Sequence, residues 1–148
     1  EIANPLSKIL IEFLNKNGFN EIAKKYRQRL LLVPVPLFNY RERERGFNQA
    51  AEIARLVAKF YQIEVSDRLL AKRKNTEPQA DIKTKEERAK NIAGVFAVNT
   101  KGSDPLKLNK IIVLIDDVYT SGSTMRECAL VLREAGASEV WGMTAARG

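Results

Sequence analysis

IIVLIDDVYTSGST, residues 111–124, sets two adjacent carboxylates between an oily run and a string of hydroxyls wrapped around one glycine. Ile111, Ile112, Val113, Leu114 and Ile115 form a short, continuous, β-branched run, the pattern of a strand covered on both faces at the centre of a sheet. From Met125 the period changes. Met125, Cys128, Ala129, Leu132 and Ala135 recur at helical spacing, and Gly136 supplies a stop. The residues between are therefore a strand-to-helix turn. In an open α/β sheet such a turn lies at the carboxyl edge of the strands, where ligands bind.

Thr120, Ser121, Gly122, Ser123 and Thr124 have small side chains, so their backbone N–H groups can converge on an anion. The helix behind them leaves its first donors unpaired and carries partial positive charge, which suits a phosphate. Asp116 and Asp117 would repel that phosphate unless hydroxyls or a cation stood between. A ribose 5-phosphate has this arrangement: phosphate in the nest, ring hydroxyls and Mg²⁺ toward the two carboxylates, directly or through water. Mg²⁺ needs few protein ligands when the substrate brings its own oxygens. Taken singly, each residue is an ordinary strand end, turn or helix cap. The whole order in its strand–turn–helix context points to a ligand.

With 148 residues the chain has the length of one ordinary domain with a real core. Cys128 is the only cysteine and histidine is absent, which excludes a disulfide framework and a cysteine-rich metal site; packing explains Cys128. No run is apolar enough to span a bilayer and no signal peptide is evident, so a soluble, cytoplasmic protein is expected. The chain begins with Glu1 rather than Met, as one with a missing or trimmed N-terminus would. A net charge of +7 favours anionic partners without separating nucleic acid from a phosphorylated metabolite. Basic residues cluster at Lys24, Lys25, Arg27 and Arg29, at Arg41, Arg43 and Arg45, and at Lys72, Arg73 and Lys74. The first of these clusters reads as a solvated face.

Asn4-Pro5 is a good helix start, Leu6, Ile9, Leu10, Phe13 and Leu14 give an apolar face, and Asn17-Gly18 a stop. A second helix is expected over residues 20–29 and a strand over 30–35, whose Pro34 and Pro36 must lie unpaired or at its end. Phe47, Ala50, Ala51, Ala54, Val57, Ala58 and Tyr61 mark the next helix. A short apolar segment at 69–71 precedes a long polar loop, Thr84 and Glu87 match a capping box for a helix ending near Asn91, and strands are expected at 94–98 and 139–145. The alternation predicts an open, mainly parallel sheet with helices on both faces over residues 30–148, preceded by a small helical hood or remnant, residues 1–29.

Residues 112–124 resemble the phosphoribosyl pyrophosphate motif of the type I phosphoribosyltransferases. More closely, VPVPL at 33–37, RGFNQA at 45–50, Arg73-x-x-Thr76-x-x-Gln79, Arg88-x-x-Asn91-x-x-Gly94-x-Phe96 and AGA at 135–137 together look like the ComF family of competence-associated, phosphoribosyltransferase-like proteins. The resemblance implies a pyrophosphate loop at 36–45, with Arg45 in bidentate contact and Gly46 allowing close backbone approach. It also implies a catalytic flap at 72–90, in which Arg73, Thr76, Gln79 and Arg88 close over the pyrophosphate. The implied reaction is displacement of pyrophosphate from the anomeric carbon by a nitrogen nucleophile. Its transition state resembles an oxocarbenium ion, and Asp116, Asp117 and Arg45 would be its catalytic groups.

Members of that family commonly carry a cysteine-rich zinc ribbon before this region, and no cysteine precedes Leu30 here. Three readings follow: a phosphoribosyltransferase with Mg²⁺, a single-stranded DNA-binding competence or DNA-uptake module, and a non-catalytic phosphoribosyl pyrophosphate sensor. Few aromatic residues interleave with the basic ones, which disfavours the second. A homodimer is compatible with all three.

Overall fold

The computed structural model describes residues 4–37, 48–73, 84, 86–87, 93–99, 109–119 and 121–148. In chain order the elements are helices α1 (Pro5–Lys16) and α2 (Phe19–Tyr26), strand β1 (Leu30–Pro34), helix α3 (Gln49–Tyr61), and strands β2 (Glu64–Val65), β3 (Leu70–Lys72), β4 (Phe96–Val98) and β5 (Ile111–Tyr119). Helix α4 (Ser123–Glu134) and strand β6 (Glu139–Arg147) follow. The oily run at 111–115 is fully buried in a four-stranded parallel sheet of order β2-β1-β5-β6.

Alternation along β1 and β5 explains why that run is continuous. Leu30, Leu32, Ile111, Val113 and Ile115 face one layer, made by α1, α2 and α3 through Leu10, Ile11, Phe19, Ile53, Val57 and Tyr61. Leu31, Val33, Ile112 and Leu114 face the other, made by α4 and a two-stranded antiparallel sheet, β3 with β4, through Leu70, Phe96, Cys128 and Leu132. With helices on both faces of a parallel sheet, this is the open α/β architecture expected.

Caps and stops account for most boundaries. Asn4 accepts from the N–H groups of Leu6 (2.9 Å) and Ser7 (3.4 Å), with Pro5 at the first helical position. Gly136, at φ 114°, ends α4: its N–H donates to the Arg133 carbonyl (3.0 Å), and the Ala137 N–H donates to Leu132 (3.0 Å), a Schellman pair. Thr84 and Glu87 exchange the two bonds of a capping box, at 3.1 and 3.3 Å. The helix end expected near Asn91 lies outside the described residues. Pro34 is tolerated because its missing donor falls on the β2 side, where the last bond runs from Ser66 N to the Leu32 carbonyl (2.9 Å) and β2 has ended.

Several boundaries differ from the sequence reading. Strand β5 runs on through both aspartates to Tyr119, and α4 starts at Ser123 rather than Met125. Helix α2 stops at Tyr26, and α3 closes on Gln62 in the left-handed region (φ 57°), a stop made without glycine or asparagine. On α1, Ile11 is buried while Ile9 and Phe13 are 54% and 61% exposed. Strands β3 and β4 pair with each other instead of extending the main sheet.

The crossover from β1 through α3 leads to β2 on one side, and that from β5 through α4 leads to β6 on the other. The strand order therefore reverses between β1 and β5, and in open α/β sheets ligands bind at the carboxyl ends of the strands at such a point. Leu114 sits at 0% exposure in the middle of the sheet. Leu114→Ala is expected to lower unfolding free energy by about 2–5 kcal/mol in urea titration, against a change within about 0.5 kcal/mol for exposed Leu130→Ala.

Candidate functional site

Pairing of β1 with β5 ends at Pro34↔Ile115, closed by the Val35 N–H donating to the Ile115 carbonyl (2.8 Å). Beyond it, among the described residues, β5 is paired only with β6, through Asp116↔Thr144, Val118↔Ala146 and Tyr119↔Arg147. The two carboxylates thus stand where the strand order reverses, each partly buried. Each accepts a hydrogen bond from the next backbone N–H: Asp117 N to Asp116 Oδ1 at 2.8 Å, and Val118 N to Asp117 Oδ1 at 2.9 Å. Asp116 lies on the α4 side, where its charge acts on the Cys128 thiol. The ladder to β6 skips Asp117, so regular alternation stops between the two aspartates.

Strand β5 ends at Tyr119 and α4 begins at Ser123, with Ser121 and Gly122 described between them. Gly122 is the N-cap of α4 at φ 81°, and no side chain caps the helix there. Ser121 Oγ lies 3.0 Å from Ser123 Oγ and accepts from the Ser123 N–H (3.4 Å), while Arg126 Nη2 donates to the Ser121 carbonyl (3.2 Å). A Cβ on Gly122 would run into the Tyr119 hydroxyl and meet the Arg126 guanidinium at 3.0 Å. The turn is therefore framed by Tyr119 on one side and Arg126 on the other, a pair the sequence reading missed. One signal was available: α4 has no acid in its first turn and carries Arg126 there, the wrong sign for a helix N-terminus unless an anion sits nearby.

The other candidates are placed unevenly. Ser121, Gly122, Ser123 and Thr124 come together in the turn; Thr120, Arg45, Gly46, Thr76, Gln79 and Arg88 lie outside the described residues. Arg73 is exposed at the end of β3, where its N–H donates to the Val95 carbonyl. The Gly94 N–H donates to Glu127 Oε1 of α4 (3.1 Å). Arg73 and Val95 are thereby joined, and Gly94 is tied to α4. The cluster Lys24 to Arg29 lies at the opposite end of the sheet: Ile111 N donates to the Arg29 carbonyl (2.7 Å), Arg29 Nε to Asn109 O (3.2 Å), and Lys25 stacks on Tyr26.

Among the described residues no group of three histidine, cysteine or acidic side chains converges as a metal site. Asp116 and Asp117 are the acidic side chains in the stretch of β5 that leads into α4, and a hard cation held there would take further oxygens from a phosphorylated ligand. Cys128 is buried behind Asp116; burial, then the charges of Asp116 and Glu127, push its thiol far above the ordinary range. It is not a nucleophile. Among the described residues no helix is long and apolar enough to cross a membrane.

No family model matches the chain. It is 31% identical over 118 residues to competence protein F of Haemophilus influenzae, covering 78% of this chain and 50% of that protein. It is 35% identical over 109 residues to competence protein ComFC of Bacillus subtilis, covering 74% of this chain and 40% of that protein. The chain thus spans about half the length of the curated relatives it matches. The solved structure of the allosteric regulatory enzyme of purine biosynthesis superposes with a TM-score of 0.50 at 19% identity, over 85% of this chain and 25% of that one.

Two outcomes follow from the geometry. Gly122→Ala is expected to cost at least about 1–2 kcal/mol by urea titration, since it adds left-handed strain to the collision with Tyr119. Adding Tyr119→Ala should recover part of that loss, and strict additivity would show that the two do not touch. Cys128 should resist a thiol reagent in the native protein at neutral pH and react at once in denaturant; fast native labelling would contradict its burial.

Proposed function

Because the chain belongs to the ComF family and has the type I phosphoribosyltransferase fold, we propose that it binds phosphoribosyl pyrophosphate and transfers the phosphoribosyl group to a nitrogenous acceptor. The observation that supports this most is the uncapped, hydroxyl-lined start of α4 at the reversal of strand order, with two carboxylates at its rim. The 5-phosphate would sit against the N–H groups of residues 121–124, framed by Arg126. An anion there would meet the positive end of the helix and offset the Arg126 cation in its first turn.

In this reading Asp116 and Asp117, adjacent at the end of β5, hold the ring hydroxyls and face the bound Mg²⁺. When bound, Mg²⁺ would supply charge neutralisation for the pyrophosphate, held by carboxylate oxygens and the ligand's own. The bond from the anomeric carbon to the pyrophosphate oxygen breaks as the acceptor nitrogen bonds to that carbon and gives up its proton. The carboxylates favour the positive charge that develops on the ring. By the family resemblance, the segment that contains Arg73, Thr76, Gln79 and Arg88 would close over the pyrophosphate and exclude water, and Arg45 would add positive charge. No covalent nucleophile is needed, which accords with a chain that has no histidine and one inert cysteine.

Calorimetric titration with phosphoribosyl pyrophosphate, with and without Mg²⁺, tests this reading. Asp116→Asn/Asp117→Asn should weaken binding by at least about tenfold, as loss of hydrogen bonds to charged groups does, with the melting temperature little changed. Equal binding by the double variant would remove the carboxylates from the site. Pyrophosphate release on adding nitrogen bases would establish transfer; tight binding with no release for any base would leave a sensor. Single-stranded DNA binding that falls steeply with salt and ignores the double variant would favour DNA handling.

A further inference from the structure

Arg126 is exposed, sits in the first turn of α4 and makes no ion pair among the described residues. The helix dipole disfavours a cation at that end. Its neighbour in sequence, Glu127, is turned instead to the Gly94 N–H, at 3.1 Å. What the guanidinium does hold is a backbone acceptor: Nη2 donates to the Ser121 carbonyl (3.2 Å), while Nη1 lies 3.0 Å from where a Cβ of Gly122 would stand. The side chain therefore leans back over the residue that begins its own helix.

That carbonyl belongs to the peptide joining Ser121 to Gly122, whose orientation decides what the start of α4 offers an anion. A trans peptide points its C=O and its N–H to opposite sides. With the Ser121 C=O turned to the guanidinium, the Gly122 N–H is turned away from it, and among the described residues no acceptor takes that N–H. In the reverse orientation the same peptide would present an oxygen where it now presents a donor, and a phosphate would be repelled there.

Gly122 does not forbid the reversal. A flip of one peptide changes ψ of the residue before it and φ of the residue after it, and glycine accepts φ of either sign. Gly122 stands at φ 81° and would leave that half of the map on reversal. The glycine that the turn needs is thus also the reason its orientation must be fixed by something else. The Tyr119 hydroxyl and the Arg126 guanidinium both pack against Gly122, and of the two it is Arg126 that bonds the carbonyl.

We propose that Arg126 is a positioning residue for the phosphate site: by drawing the Ser121 carbonyl to its own side it keeps the Gly122 N–H presented to the ligand, acting through the peptide rather than by touching the phosphate. The proposal rests on the reading of the α4 start as the 5-phosphate site. Any cation near that helix end would attract anions, but only a donor within reach of Ser121 orients the peptide.

Titration of the isotope-labelled full chain with ribose 5-phosphate, followed through amide shifts, tests this on wild type, Arg126→Met and Arg126→Lys. Methionine keeps an unbranched side chain without a donor, and lysine keeps a donor long enough to reach the carbonyl. In the wild type the Gly122 amide should shift together with those of Ser123 and Thr124. In Arg126→Met the Gly122 amide should drop out of that set, and the dissociation constant should rise about fivefold, the worth of one hydrogen bond, by the same factor at low and high salt. Arg126→Lys should retain the Gly122 shift and most of the affinity. Because Arg126 is exposed, the melting temperature should change little in either variant. A loss in Arg126→Met that vanishes at high salt would reduce the arginine to a charge and overturn the proposal. So would a Gly122 amide that still shifts in that variant, or Arg126→Lys binding as weakly as Arg126→Met. If the wild-type amides of residues 121–124 do not move at all, the phosphate reading falls and this proposal with it; if they move and Arg126→Met binds as tightly, only the positioning role falls.

Discussion

The unequal length of two paired strands is the constraint on which the rest depends. Strand β1 follows β5 from Leu30↔Ile111 to Pro34↔Ile115 and stops, while β5 continues with β6 as far as Tyr119↔Arg147. If β1 were as long as β5, Asp116 and Asp117 would lie in a closed four-strand ladder. Because β1 ends first, the carboxylates come to the surface at the point where strand order reverses. Packing enforces the register, since a slip of one residue would turn Ile112 and Leu114 out of one layer and Val113 out of the other.

Much of this was legible in the sequence, for identifiable reasons. The run 111–115 is apolar without a break because both faces are covered, and that alone placed it at the centre of a parallel sheet. Asn4-Pro5, Gly136 and the Thr84–Glu87 pair carry their structural meaning in their chemistry, and each is used as read. The turn was recognisable from small hydroxyl residues and one glycine, whose φ of 81° is the reason that position needs a glycine.

What escaped the sequence was set by tertiary contact. The extension of β5 through two aspartates runs against the usual depletion of aspartate in strands; β6 supplies the partner that holds them extended. Spacing alone put Ile9 and Phe13 on the buried stripe of α1, yet α3 fixes the helix by its Asn15 flank and rolls them outward. Gln62 takes a left-handed cap that residue type does not announce. Tyr119 and Arg126 were invisible as a pair because only the fold brings the end of a strand against the first turn of the following helix. The basic cluster at 24–29, read as a solvated face, lies at the far end of the sheet, where Arg29 meets Asn109 and Tyr26.

The central claim is that an anionic sugar phosphate is received by the start of α4. Amide chemical-shift mapping during titration with ribose 5-phosphate tests it most directly, since each backbone N–H reports its own environment. The account predicts that the largest shifts fall on residues 121–124, followed by Asp116, Asp117 and the side-chain signals of Arg126. Shifts centred on residues 24–29, or spread evenly over the basic surface with the α4 amides unmoved, would contradict it.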